Sequence, residues 1–146
     1  MNEMPNILII EDDTDLVAAM KHILESKGFK VLVAYDPEEG KEKLYEEEPD
    51  LIILDVMFGS LGESKGFDFA QNLKLDEKHS AIPILMLTAI NTEKPYFSFS
   101  PETDGEFLPV DSFIDKPVRS EDLVAKVEEL LRQKTSKWQN WPYKSS

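Results

Sequence analysis

The sequence predicts an α/β domain, a doubly wound five-stranded parallel sheet with helices on both faces. Three observations carry this. Leu51-Ile52-Ile53-Leu54 is a run of four apolar residues, β-branched in the middle, the pattern of a strand buried on both faces, and such strands belong to parallel sheets covered by helices. Short apolar runs alternate with amphipathic stretches about five times along the chain. Right-handed crossovers between parallel strands then place helices on both faces and gather every strand's C-terminal residues along one edge.

Asn6 to Ile10 is the first expected strand, followed at once by Glu11-Asp12-Asp13. From Asp15 to Lys27 the apolar residues Leu16, Val17, Met20, Ile23 and Leu24 fall on one helical stripe, with Thr14 as N-cap and Gly28 as the stop. Phe29 to Ala34 is the second strand. Asp36-Pro37-Glu38-Glu39 starts the next helix with an N-cap Asp, Pro at the first position and a Glu able to close a capping box. That helix is expected to run to about Glu47, and Pro49 bars its continuation. The central strand ends in Asp55.

Beyond it lies a Gly/Ser-rich loop from Val56 to Lys65, then a helix from about Gly66 to Leu75 with Phe67, Ala70 and Leu73 or Lys74 on its flank. Pro83 introduces Ile84-Leu85-Met86-Leu87-Thr88, a fourth strand ending in a hydroxyl. Between Asn91 and Asp111 the periodicity fails. Pro95, Pro101 and Pro109, with the alternation Tyr96-Phe97-Ser98-Phe99, mark an irregular excursion with at most one short helix. Ser112-Phe113-Ile114 is a short fifth strand closed by Asp115-Lys116-Pro117, and the last helix starts at Ser120 with Leu123, Val124, Val127, Leu130 and Leu131 on one face. The domain is expected to occupy residues 1–133. Residues 134–146 form a tail whose Trp138, Trp141 and Tyr143 are expected to lie on the body of the domain.

The chain's 146 residues suit one domain with a real core. A hydrophobic fraction of 41% and a charged fraction of 31% are those of a soluble globular protein. No apolar run reaches membrane-spanning length, Met1-Asn2-Glu3 lacks the basic start of a secretory signal, and there is no cysteine for disulfide or thiolate chemistry. A cytoplasmic location and no membrane partner are expected. A formal net charge of -13 repels phosphate backbones, so direct nucleic-acid binding is not expected.

The sheet's carboxyl edge is where ligands bind in such folds. It collects Glu11, Asp12 and Asp13 after the first strand, Asp55 after the third, Thr88 after the fourth and Lys116 after the fifth. Crowded carboxylates repel, and a proton or a cation relieves them. Oxygen donors without Cys suit a hard divalent ion, Mg²⁺ where phosphate is also handled. With such an ion present a phosphoryl donor can approach Asp55, since carboxylates act as nucleophiles toward phosphorus. Lys116 can neutralise one phosphoryl oxygen and the Thr88 hydroxyl can donate to another. His22 and His79 are expected at the surface.

Ile-Leu-Ile-Ile-Glu-Asp-Asp (7–13), Leu-Ile-Ile-Leu-Asp-Val-Met (51–57), Leu-Met-Leu-Thr-Ala (85–89) and Phe-Ile-Asp-Lys-Pro (113–117), in this order and spacing, resemble the receiver domain of bacterial two-component response regulators. The resemblance spans roughly residues 5 to 133. It implies a flavodoxin-like fold of strand order 2-1-3-4-5. It implies that Asp55 is the phosphorylated aspartate, that Asp12 is the direct Mg²⁺ ligand and Glu11 acts through water, and that Met57 lends its backbone carbonyl. Thr88, with Ala89 beside it, matches the switch hydroxyl, Lys116 the phosphate-binding lysine, and Phe113 the aromatic that moves inward on switching. Lys116-Pro117 matches the family's cis peptide. Asp13 falls outside the matched acid pair and belongs to the start of the helix.

The implied function is to accept a phosphoryl group from a sensor histidine kinase or phosphotransfer protein and to pass a conformational signal to a downstream protein target. Catalysis is limited to self-phosphorylation and self-dephosphorylation, the latter slow if Met57 and Ile90 screen the pocket from water. A homodimer is one open alternative for the partner. Two departures bear on this. Gly59 stands where the family usually has a Pro, and Gly66 implies a lengthened loop beside Asp55. Residues 91–111 replace the family's usual fourth helix, part of its output and dimer face. That second departure motivates the alternative, a phosphate-independent pseudo-receiver acting as an interaction module. A haloacid-dehalogenase-type phosphatase would need an Asp where Met57 stands, and a flavodoxin would need a hydroxyl-rich phosphate loop where Glu11-Asp12-Asp13 stands.

Overall fold

The computed structural model describes residues 4–55, 65–89, 110–135 and 137–141. Five parallel strands, β1 (Asn6–Ile10), β2 (Lys30–Ala34), β3 (Leu51–Asp55), β4 (Ile84–Ala89) and β5 (Ser112–Lys116), form one sheet in the order β2-β1-β3-β4-β5. This is the flavodoxin-like order. The helices are α1 (Thr14–Ser26), α2 (Pro37–Glu47), α3 (Lys65–Leu75) and a C-terminal helix, α4 (Ser120–Lys134). Residues 56–64 and 90–109, which hold most of the lengthened loop and of the irregular excursion, lie outside the described residues.

Successive side chains of a strand point to opposite faces, and the core divides along that alternation. Ile7, Ile9, Leu51, Ile53, Leu85, Leu87 and Ile114 pack in one cluster with Val17, Met20 and Leu24 of α1 and with Leu123, Val127, Leu130 and Leu131 of α4. Leu8, Ile10, Ile52, Leu54 and Ile84 pack in the other with Leu44 of α2 and Phe69, Ala70 and Leu73 of α3. Each central strand therefore carries an unbroken apolar run, residues 7–10, 51–54 and 84–87. All five residues of β3 are buried, its terminal Asp55 included.

The ends of the helices follow local chemistry, with two corrections. The N-cap of α1 is Asp13, whose Oδ1 accepts from the Asp15 and Leu16 amides at 3.1 Å each, and Thr14 is already helical. Asp and Thr both suit this position, and the shorter carboxylate reach from Asp13 satisfies two of the first turn's open amides. Asp36 caps α2 by accepting from Glu39 N at 2.8 Å, but the Glu39 carboxylate accepts from Tyr35 N at 2.7 Å, one residue outside the expected capping box. Phe69 of α3 is buried, and the side chain of Phe67, the aromatic expected on its flank, lies outside the described residues. Asp111 ties two strand starts together, its Oδ2 accepting from Ile84 N at 2.8 Å and from Lys74 Nζ at 3.0 Å.

Gly40, in the middle of α2, is explained by close packing. A Cβ there would stand 2.5 Å from Ile10 Cδ1 and 3.0 Å from Ile10 Cγ1. Gly40→Ala gains about 1 kcal/mol of helix propensity but overpacks a full core at about 1–3 kcal/mol. The expected net result is a lowered urea midpoint; a raised midpoint would show that Ile10 yields freely.

His79, expected at the surface, is interior, and the tail aromatics expected on the body of the domain pack into its core. His79 is 2% exposed, with Nδ1 2.9 Å from Asp76 Oδ2 and its ring edge-on to Tyr45 at 4.8 Å. Tyr45 Oη donates to the same Asp76 oxygen at 2.7 Å. These interactions hold the Asp76 carboxyl down to about 2, the His79 bond contributing most. In the tail, Trp138 is 1% and Trp141 8% exposed, and both belong to the core cluster of α1 and α4. The two rings meet edge to face at 5.7 Å, Trp141 lies 5.5 Å from the Phe29 ring, and Arg132 donates to the Trp141 carbonyl at 3.0 Å. Gly28, at φ 94°, presents its bare Cα toward this indole.

Candidate functional site

The pleat that sorts the core also assembles the site. Glu11, Asp55 and Lys116 each stand two residues beyond a core residue of the α1 face, namely Ile9, Ile53 and Ile114. They therefore extend that face past the apolar layer to the sheet's carboxyl edge. Lys116 Nζ lies 3.2 Å from Asp55 Oδ2 and 3.4 Å from Glu11 Oε1. Glu11 and Asp55 are 1% and 2% exposed, whereas Asp12 is exposed. One carboxylate oxygen from each of Glu11, Asp12 and Asp55 lies within 4.8 Å of the other two. Asp13, its Oδ1 given to α1, stands outside this group.

Three carboxylates and one ammonium leave the cluster short of positive charge. The Glu11 carboxyl is pushed from 4.5 up to about 8, by burial first, then by its hydrogen bond and repulsion with Asp55, against the pull of Lys116 and of the Asp13 N–H. Burial opposes the charge on Lys116, but Asp55 and Glu11 outweigh it and hold that ammonium's pKa above 10.5. With both carboxyls ionised, Glu11 Oε2 is buried and faces no donor among the described residues. A proton shared with Asp55 satisfies it, and so would a hard cation. The donor set, all oxygen, fits Mg²⁺.

A pH dependence follows. Glu11 binds a proton in the folded chain that the unfolded chain has released, so stability falls as pH rises from about 4.5 to about 8 and levels off above. Lys116, its pKa raised, contributes stability through this window and loses it only at higher pH. Urea unfolding in chelator should show the decline, and Glu11→Gln should flatten it. Equal slopes for the two proteins would contradict this origin.

Thr88 stands at the same edge on the other side of the pleat. It pairs in register with Asp115, and Ala89 pairs with Lys116. Its hydroxyl donates to Asp115 Oδ1 at 2.7 Å and lies 3.5 Å from the Ile114 carbonyl oxygen. Phe113 is half-buried, in register with Met86. The Lys116-Pro117 peptide is cis. Met57 and Ile90 lie outside the described residues. The structure thus brings Glu11, Asp12, Asp55 and Lys116 together and attaches Thr88 to Asp115, a residue the sequence reading left out. Ending the fifth strand at Ile114 hid it; extended through Lys116, the strand places Asp115 opposite Thr88.

A parallel sheet of this order with an acid cluster and a lysine at its carboxyl edge defines a flavodoxin-like protein of the receiver class. The family described as "Response regulator receiver domain" matches residues 7–128. The chain belongs to that family, whose members are signalling domains of two-component systems. It is 35% identical over 130 residues to the DNA-binding dual master transcriptional regulator RpaA of Synechocystis, covering 89% of this chain and 50% of that protein. It is 33% identical over 130 residues to the transcriptional regulatory protein CpxR of Escherichia coli, with the same coverage of 89% and 50%. The chain spans about half the length of these curated relatives. Among solved structures, a CheY-like response regulator receiver domain protein from Methanospirillum hungatei superposes with a TM-score of 0.71 at 26% identity, covering 92% of this chain and 99% of that one. No described helix is long and apolar enough to cross a membrane.

Proposed function

We propose that the chain is a phospho-acceptor receiver in which Asp55 takes a phosphoryl group from the phosphohistidine of a sensor histidine kinase or phosphotransfer protein. An Asp55 oxygen attacks phosphorus and the P–N bond breaks; the imidazole keeps the electron pair and takes up a proton. The carrying observation is the buried Asp55 carboxylate, 3.2 Å from Lys116 Nζ and within one cluster with Glu11 and Asp12. Glu11, Asp12, Asp55 and the Met57 carbonyl would hold Mg²⁺, which supplies charge compensation at the incoming phosphoryl group. Lys116 neutralises one phosphoryl oxygen. In this reading the Thr88 hydroxyl, with Ala89 beside it, turns to serve another, and Phe113 follows the hydroxyl. Phosphoryl transfer needs little more than this positioning and charge.

The proposed receiver unit is residues 1–133, with the tail to Trp141 packed against it. Its partners are the kinase and a downstream protein target, with a second copy of the chain as an alternative, and its location is cytoplasmic. The names of RpaA and CpxR describe transcriptional regulators of about twice this length; direct DNA binding by the present residues is disfavoured by a net charge of -13. Incubation with Mg²⁺ and a small acyl phosphate, followed by intact mass measurement, tests the reading. The expected result is a gain of one phosphoryl group, prevented by chelator. No gain would instead favour the phosphate-independent interaction module.

A further inference from the structure

We infer that Asp115 is a positioning residue that holds the Thr88 hydroxyl away from Asp55 until phosphorylation draws it across. The inference rests on the reading of Asp55 as acceptor. A threonine hydroxyl has one proton to donate. That proton points at Asp115 Oδ1, 2.7 Å away, the length of a strong charge-assisted bond. It cannot at the same time serve a phosphoryl oxygen. The register sets the two side chains side by side: Thr88 and Asp115 are direct partners in parallel strands, and partners in register project to the same face.

That face is the opposite one from the acids. Leu87 and Ile114, the residues just before Thr88 and Asp115, both belong to the α1-side cluster, as do Ile9 and Ile53, which precede Glu11 and Asp55 by two. Thr88 and Asp115 therefore point away from the face that carries Glu11, Asp55 and Lys116. Lys116 and Asp115 are adjacent in β5, so the strand presents a cation to the phosphoryl site on one face and a competing acceptor for the hydroxyl on the other. Asp115 is exposed, so its carboxylate stays solvated when the hydroxyl leaves and the latch opens at moderate cost. Because Asp115 is exposed, the expected effect of removing it is about tenfold, near the lower edge for one net hydrogen bond to a charged group.

The test uses the full chain and beryllofluoride with Mg²⁺ as the phosphoryl mimic, with affinities measured by calorimetry. Asp115→Ala should bind about tenfold more tightly than the wild type, and Asp115→Asn, which keeps a neutral acceptor, should fall between. In a Thr88→Ala background the same Asp115 changes should have no effect, because no hydroxyl remains to be held. A second measurement needs neither metal nor phosphate. The Thr88 methyl signal should report a single side-chain rotamer in the wild type and rotamer averaging in Asp115→Ala, with Asp115→Asn substituting should the alanine variant not fold. An unchanged rotamer overturns the inference, and so does an affinity that shifts equally with and without the Thr88 hydroxyl. If no variant binds beryllofluoride, the acceptor reading of Asp55 fails, and the rotamer alone decides whether Asp115 fixes Thr88.

Discussion

Asp55→Asn is expected to stay folded and to gain no phosphoryl mass from an acyl phosphate, a loss on the order of a thousandfold or more in rate because the nucleophile itself is gone. The neighbours explain why folding survives. Asp55 is one of three carboxylates crowded against one lysine, so a neutral amide in its place removes repulsion as well as the attraction of Lys116. Glu11 keeps its 3.4 Å contact with Lys116. Without the Asp55 charge its carboxyl should titrate below the wild-type value of about 8, since hydrogen bonding and repulsion from Asp55 are two of the causes that raise it. Intact mass and a urea unfolding curve on the same sample check both halves. A variant that still takes up one phosphoryl group would move the acceptor elsewhere, and one that fails to fold would make Asp55 structural.

The second large effect concerns the tail. Trp138→Ala should lower stability by about 3–5 kcal/mol, the range for emptying a buried large aromatic site. Against a typical total of about 5–15 kcal/mol, that change brings the domain near its unfolding threshold. Trp138 is 1% exposed, stacked edge to face on Trp141, with Lys137 Nζ 5.1 Å over its ring. The Arg132 bond to the Trp141 carbonyl closes the segment back onto α4. Chemical denaturation monitored by circular dichroism measures the loss. A change below about 1 kcal/mol, typical of a surface residue, would show that the tail lies detached in solution.

The sequence made the central strands legible because burial on both faces leaves unbroken apolar runs, and β1 and β3 have the bounds their residues suggest. Glu11, Asp12, Asp55 and Lys116 could be foreseen as neighbours because a parallel sheet brings strand ends together whatever the loops do. What escaped has no local period. Asp115 and Lys116 are polar, so β5 looked finished at Ile114; only the ladder with β4 extends it to Lys116. His79 is buried by Tyr45 and Asp76, and the first of these comes from α2. Trp138 and Trp141 lie on the body of the domain as expected, but no helical stripe announces the depth of their burial, which depends on the far end of α1, on Phe29 and on α4. In each case a long-range contact decides, and sequence spacing carries no record of it.

Borohydride reduction offers the most direct measurement, since it converts an aspartyl phosphate to an alcohol that peptide mass mapping can place. After treatment with Mg²⁺ and an acyl phosphate, the expected product is homoserine at position 55, absent when chelator replaces the metal. Reduction at another carboxylate, or equal labelling of Asp55 without a divalent cation, would contradict a phosphoryl site built from Asp55, Lys116 and the two acids of the first strand.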